Sequence, residues 1–372
     1  MKQLNYYQAI AILIGTVIGA GVLGIPKIIA DLGLVAGIIE ILLLGGLVLI
    51  TNLFLGEIVL SFKTCNQLTG YAEKILGKKG KTAMAISMIG GIYGALLAYI
   101  IVEGRVLGAI FNINPFLVSI VFFMAAAIAV YLGISFIKSS ELIMSSIILG
   151  IILLLAILSL PFISLTNITP FNIIGILPAY GVILFAFLGA AAIPEMRICL
   201  AKQKQKLKSA IIIGSIIPFI IYAIFAIVVV LVTGLSTTEV ATIGLGETIG
   251  LHMVLLGNLF AAFAMATSFL VLGLALKDMY HLDYKINHFV SWLLACFPSF
   301  ILFIVGIRSF TKTIGITGAV AGGLEGFLIV FMHWKLKAKR KPEYKITKSI
   351  LLGLIIMTVY IIGAVYSIYA LF

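Results

Sequence analysis

Long apolar runs separated by short polar, lysine-bearing stretches make up almost the whole chain. Each run reaches or exceeds the roughly 20 residues that a helix needs to cross a bilayer, and strand-like alternation is absent. In order they predict eleven spans: roughly 6–30, 34–62, 82–110, 115–137, 141–162, 177–200, 209–234, 249–276, 287–307, 313–334 and 349–371. The first run is too long for the apolar part of a signal peptide and has no clear cleavage site, so it is read as a mature helix.

Two runs carry the same interruption. Gly21-Val22-Leu23-Gly24-Ile25-Pro26 and Gly189-Ala190-Ala191-Ala192-Ile193-Pro194 both read Gly-x-x-x-Ile-Pro, and they begin 168 residues apart. Glycine favours helix poorly, and proline lacks an N–H and clashes with the preceding turn, so each phrase predicts a broken span. A break at membrane depth frees backbone N–H and C=O groups, which is tolerated only where they face protein, water or a solute. The other reading is that the glycines allow close helix packing. Two matched breaks in corresponding halves favour a binding site.

Composition supports a membrane protein. Of 372 residues, 63% are hydrophobic and 10% charged, which excludes an ordinary soluble enzyme. Cys65, Cys199 and Cys296 are scattered and form neither a disulfide framework nor a metal motif. With the N-terminus in the cytoplasm, 21 of the 25 Lys and Arg residues fall on the cytoplasmic side, in blocks such as Lys63–Lys81, Arg197–Lys208 and Lys335–Lys348. Lys138 belongs to the same side. This asymmetry predicts a multi-pass protein of the plasma membrane, N-terminus in and C-terminus out. The net charge of +12 is then topological and needs no nucleic-acid partner.

Ten spans divide into two sets of five, each opening with a broken helix. Five is odd, so the second set enters from the opposite side. The prediction is an all-α integral membrane protein with a 5+5 inverted repeat, residues 1–162 and 177–334, discontinuous first and sixth helices, and an additional eleventh helix at 349–372. The whole chain, 1–372, is one transmembrane domain.

The run Gly15-Thr16-Val17-Ile18-Gly19-Ala20-Gly21-Val22-Leu23-Gly24-Ile25-Pro26 resembles the first helix of the amino acid/polyamine/organocation superfamily, whose members share the LeuT fold. The span count and Phe185-Ala186-Phe187-Leu188-Gly189 resemble its amino acid/auxin permease branch most. This resemblance implies an amino-acid substrate whose carboxylate meets Gly19, Ala20 and Gly21 with Thr16 alongside. Its ammonium would meet carbonyls near Thr16 and around Leu184, Phe185 and Phe187. Tyr99 and Ala190 complete the implied substrate-binding set. Helix N-termini suit anions in any case, because their first N–H groups lack intrahelical acceptors. Neither break carries a charged side chain within it, so a neutral aliphatic or aromatic amino acid is expected.

The resemblance also implies a coupling ion. Ala264, Thr267 and Ser268 share one helical face at i, i+3 and i+4. Sodium-coupled members of the fold hold one ion with two such hydroxyls and three carbonyls, here those of Gly15, Ile18 and Ala264. The fold's other sodium site looks lost, since Val22 and Phe185 stand where it needs polar groups. A bland reading of Thr267 and Ser268 is that they bond back to their own helix.

Protons are the rival. Glu40, Glu57, Glu103, Glu195 and Glu325 lie within or beside spans, where ionised groups are costly and usually functional. Glu103 stands one turn from Tyr99 and two residues from Arg105, so a structural contact with either is an equal reading. Glu195 could pair with Arg197 or Lys202 as part of a gate. The lysine that fills the sodium position in some proton-driven relatives is missing, because residues 142–162 contain none.

No histidine motif, nucleophile elbow or P-loop supports enzyme chemistry, and no resident cofactor is expected. The sequence therefore predicts a symporter that imports a neutral amino acid by alternating access, with Na+ or else H+ as its partner ion. A sensor that binds an amino acid without carrying it stands as the further alternative.

Overall fold

The computed structural model describes residues 2–132, 141–337, 341–347 and 349–369. Its first half holds α1 (Lys2–Val17), α2 (Gly21–Leu32), α3 (Leu34–Leu60), α4 (Leu68–Phe111), α5 (Pro115–Leu132), α6 (Glu141–Ser159) and α7 (Ile176–Phe187). Then come α8 (Ala192–Cys199), α9 (Leu207–Thr233), α10 (Ala241–Ile249), α11 (Leu251–Asp278), α12 (His288–Val305), α13 (Phe310–Ile316), α14 (Gly323–Lys335) and α15 (Ile350–Tyr369). No strand occurs among the described residues.

Both expected breaks are present, and they fall at the glycine end of each phrase rather than at the proline. α1 and α2 meet at 54° across residues 18–20. α7 and α8 are separated by residues 188–191. Pro26 and Pro194 instead sit inside the helices that follow. Pro194 lies in the first turn of α8, where a missing N–H costs nothing in hydrogen bonding.

Nine helical segments among the described residues are long and apolar enough to cross a membrane, ten if the bent α1–α2 pair counts as one span. The expected fifth span corresponds to α6, Glu141–Ser159, of which Ser146–Phe162 counts as a shorter apolar helix among the described residues. Residues 133–140, with Lys138 and the end of the fourth expected span, lie outside the described residues. So do Lys339, Arg340, Lys348 and the last three residues. The third run extends backwards: α4 begins at Leu68, with a kink where Gly77 takes φ 77°. The expected tenth span is also interrupted, by a π-helical stretch Thr317–Gly322 between α13 and α14.

The two broken spans pack on each other half against half, α1 on α8 and α2 on α7, with α9 behind both. Small residues permit this approach. A Cβ at Gly21 would run into Ala186, and one at Gly189 would press on Val17 and Leu13. Each break therefore lies against the end of the other broken helix. Tyr222 of α9 fastens the crossing: its buried hydroxyl donates to the Val17 carbonyl at 2.8 Å and also approaches the Ala186 carbonyl at 3.3 Å. Around this centre α4 packs along α11, and large apolar side chains such as Leu42, Leu43, Val121 and Leu132 stand exposed on the outer surface, as a lipid-facing belt requires.

Of the suspected intramembrane carboxylates, Glu57 has a structural explanation. Its Oε2 meets His333 Nε2 at 3.1 Å and accepts the Ile346 N–H at 2.7 Å, while His333 stacks on Phe54 with centroids 4.2 Å apart. This cluster fastens the 341–347 segment across the ends of α3 and α14.

Candidate functional site

A cavity of about 410 Å³ lies at the crossing of the two breaks, within the size range of small-molecule sites. Thr16, Gly19, Ala20 and Gly21 line it from the first break, and Phe185 and Ala190 from the second. Tyr99 of α4 also lines it. Thr16 is exposed although it sits mid-chain in a bundle, because its side chain faces this space. Two expected contributors do not line it. The Leu184 side chain is fully buried, and Phe187 packs edge-on against Phe219 at 4.6 Å. They can offer the cavity only backbone carbonyls.

The wall at the first break is rich in donors. α2 begins at Gly21 with no side-chain cap; the Leu23 N–H donates to the Ala20 carbonyl at 3.1 Å, and the N–H groups of Gly21 and Val22 ahead of it carry the helix's partial positive charge. Gly19 leaves the approach open: a Cβ there would come no closer than 3.6 Å to anything, the nearest atom being Tyr99 Oη. The wall at the second break is the C-terminal turn of α7, which presents carbonyls. Donors and acceptors thus face one space, an arrangement suited to a zwitterion.

The cavity opens at one end of the bundle. Gln67, Glu195 and Asp278 line it and are exposed there, at the lysine-rich end of the helices. Among the described residues, no Lys, Arg or His lines it, whereas Glu195, Asp278 and Glu325 do. Sequence reasoning missed Asp278 and Glu325 as lining residues, since each reaches the space from a helix packed beside a break.

The opposite end is fastened shut. Arg105 Nη1 meets Glu239 Oε2 at 2.5 Å, and Nη2 donates to the Arg308 carbonyl at 2.9 Å. The other Glu239 oxygen accepts from Ser309 at 2.8 Å and Thr311 at 2.7 Å. Burial alone would raise the Glu239 carboxyl. The hydrogen bonds from Thr311, Arg105 and Ser309 and the charge of Arg105 outweigh it and hold the group below the usual carboxylate range. One side chain thereby joins α4, the loop before α10 and the start of α13.

The remaining expected contacts need correction. Arg197 does not pair with Glu195. It is buried and donates to the Phe62 carbonyl at 2.6 Å, the Lys63 carbonyl at 3.2 Å and Cys65 Sγ at 2.6 Å, capping the chain where it leaves α3. Glu195 stands on the cavity wall with no ion pair among the described residues. Glu103 pairs with neither Arg105, which is taken by Glu239, nor Tyr99, whose hydroxyl meets Ser268. It is 1% exposed and faces the backbone of Ala266, with neither carboxylate oxygen at bonding distance of a partner.

The expected sodium ligands are not gathered in this conformation. α1, with Gly15 and the adjoining Ile18, packs on α6, α8 and α9 and makes at most marginal contact with α11, which carries Ala264, Thr267 and Ser268. Thr267 donates to the Phe263 and Ala264 carbonyls at 2.9 and 3.0 Å, the bland reading of that residue. A hydroxyl that donates in this way still has lone pairs for a cation.

Comparison with known proteins agrees with this architecture. The structure is similar to that of MhsT in complex with L-phenylalanine, with a TM-score of 0.69 and 17% identity over 97% of both chains. It is also similar to Mhp1, a nucleobase-cation-symport-1 family transporter solved in a closed conformation with bromovinylhydantoin bound. That match has a TM-score of 0.66 and 14% identity, covering 98% of this chain and 91% of the other. Identities this low establish the shared LeuT-type fold alone. Glutamine transporter 2 of Aliivibrio fischeri is 25% identical over 360 residues, 92% of each chain. These relatives are transporters, not enzymes, and the expected auxin-permease branch receives no support from them. The sequence matches the tryptophan/tyrosine permease family across residues 2–367, and the chain belongs to that family.

Proposed function

We propose that the chain imports a neutral amino acid across the plasma membrane by alternating access, coupled to one cation. The observation that carries this reading is the cavity between an uncapped helix N-terminus and a helix C-terminal turn. The substrate carboxylate lies against the N–H groups of Ala20, Gly21 and Val22, and its ammonium against open carbonyls in the last turns of α1 and α7. The side chain extends past Tyr99 and Phe185. The aromatic amino acids named by the family, the phenylalanine held by MhsT and the glutamine carried by the Aliivibrio protein are all neutral, which supports the same class here.

The two halves, 1–162 and 177–334, act as inverted repeats in this reading, and the lysine-rich open end is cytoplasmic. The conformation described is then inward-open, with the Arg105–Glu239 contact closing the outer end. Sodium binds Thr267, Ser268 and the carbonyls of Gly15, Ile18 and Ala264 when α1 closes against α11. Substrate and cation share the first broken helix, so binding of either favours the other. One cation crossing 100 mV supplies about 2.3 kcal/mol. Thr267→Ala with Ser268→Ala is expected to raise the sodium concentration for half-maximal uptake about tenfold or more, without comparable loss of protein, as removal of two oxygen ligands requires. An unchanged sodium dependence removes these residues from the cation site.

A second reading rests on Glu103. An ionised carboxylate without a partner in the membrane interior costs about 2.5–3.5 kcal/mol or more, which a bound proton relieves. If Glu103 carries the coupling proton, Glu103→Gln abolishes the acceleration of uptake by an inward proton gradient while substrate exchange continues. Retained gradient-driven uptake in that variant ends this reading.

A further inference from the structure

The substrate cavity has a side branch at the second break. Leu188, Gly189, Ala190, Gly322 and Glu325 line both the cavity and an annex of about 10 Å³, close to the least that holds one water. Thr51 and Asn52 of α3 and Tyr360 of α15 close the annex. A single small polar group fits it, and an aromatic ring does not.

The open groups of this branch are of both kinds. Asn52 is 2% exposed, and its amide, with two N–H donors and one carbonyl, has no partner among the described residues. The N–H groups of Gly189 and Ala190 belong to the unwound segment and donate to no carbonyl among the described residues. Glu325 has neither hydrogen bond nor ion pair there. The Thr51 and Tyr360 hydroxyls, by contrast, meet each other at 3.0 Å.

Donor and acceptor capacity decides which side chain satisfies such a set. An ammonium has donors only and would leave the Gly189 and Ala190 N–H groups unmet. A carboxylate has acceptors only and would face Glu325. A hydrocarbon or aromatic tip answers neither kind, and each buried polar group left without a partner costs binding. A primary carboxamide carries one acceptor oxygen and two N–H donors, so it answers both.

We infer that the branch reads the end of the substrate's side chain, and that the class it selects is the amino acids bearing a carboxamide, glutamine or asparagine. The amide oxygen accepts from the N–H groups of Gly189 and Ala190, its NH2 group donates to Glu325, and Asn52 bonds alongside. An aromatic amino acid fills the main cavity and leaves these groups unsatisfied. The inference rests on the substrate orientation proposed above, in which the side chain extends past Phe185 and so toward residues 188–190.

The test is equilibrium binding of labelled glutamine and labelled methionine to the purified full-length protein in detergent with saturating sodium. Other amino acids serve as competitors, and thermal unfolding checks the fold of each variant. Glutamine is expected to bind at least tenfold more tightly than methionine, which matches its length without the amide, and than phenylalanine, lysine or glutamate. Asn52→Leu and Glu325→Met should each lower the ratio of glutamine to methionine affinity by about tenfold, through weaker binding of glutamine. A merely structural role would weaken both ligands together and leave the ratio in place. Asn52→Leu carries the test if Glu325→Met does not fold. Equal binding of methionine and glutamine, or a ratio unchanged in the variants, overturns the inference and spares the transport reading, because a neutral amino acid is still held. Tighter binding of lysine than of glutamine also overturns it and gives Glu325 a cationic partner. Binding of no neutral amino acid contradicts both readings.

Discussion

Uptake by Gly21→Ala is expected to fall about tenfold or more, with a lower unfolding temperature for the protein that is made. An added Cβ would collide with Ala186, both with its side chain and with its backbone, at the point where α2 crosses α7. Overpacking of this kind costs about 1–3 kcal/mol, and 1.4 kcal/mol is a factor of ten. Adding Ala186→Gly should restore part of the loss, because it removes one of the two colliding groups. Gly19→Ala provides the contrast. Its new methyl meets Tyr99 Oη at 3.6 Å, an ordinary contact, so the protein should fold normally. The methyl nevertheless sits beside the donors proposed for the carboxylate, and KM should rise. Uptake kinetics and thermal unfolding of the three variants check this; equal behaviour of Gly19→Ala and Gly21→Ala would contradict it.

Glu239→Gln is expected to open the end of the molecule opposite the cavity mouth. Arg105 and Glu239 are 31% and 27% exposed, so solvent screens the pair and its charge alone is worth little. The hydroxyls of Ser309 and Thr311 and the Arg308 carbonyl turn the pair into a network spanning three segments, worth roughly 1–3 kcal/mol. Losing it shifts the two-state balance by about fivefold or more. Phe310 is fully buried just beyond the network, so a cysteine there reports opening. With Cys65, Cys199 and Cys296 replaced, an impermeant thiol reagent should label Phe310→Cys several times faster when Glu239→Gln is present.

The same network has a defined pH dependence. The Glu239 carboxyl is held below its usual 4.5, so its contribution is complete above that value and is lost only as pH falls through the lower, folded-state value. Labelling, taken relative to that of an exposed cysteine at the same pH because only the thiolate reacts, should accordingly be flat from about pH 8 to pH 5 and rise only under stronger acid. A rise already complete by pH 6 would assign the opening to another group.

The breaks were legible in the sequence because their cause is local. A small-residue run leading into Ile-Pro holds a helix poorly at its glycine end, where both breaks fall, and its recurrence 168 residues later marks the second half. Thr267 was also legible in its bland form, since the carbonyls it meets belong to its own preceding turn. What escaped depends on which helices become neighbours. Arg105 reaches Glu239 across 134 residues, and Arg197 reaches Phe62 across 135, although each has a carboxylate two residues away in sequence. Glu325 arrives at the second break because Gly322 lets α14 approach Leu188, a contact that no spacing rule encodes. The interruption of the tenth span was hidden for a related reason. Gly315 and Gly318 lie against the backbone of Gly181 in α7, and that packing, not a proline, accompanies the π-helical stretch.

The measurement that bears most directly on the account is uptake of labelled tryptophan, tyrosine, phenylalanine and glutamine into proteoliposomes, with lysine and glutamate in parallel. External sodium would be exchanged for choline at fixed pH. The account expects concentrative uptake of at least one neutral amino acid, little of the charged ones, and collapse of uptake in choline. Uptake that survives in choline and answers to a proton gradient would move the coupling to Glu103 and keep the substrate site. Binding of a neutral amino acid with no flux under any gradient would contradict the central claim and make the protein a sensor.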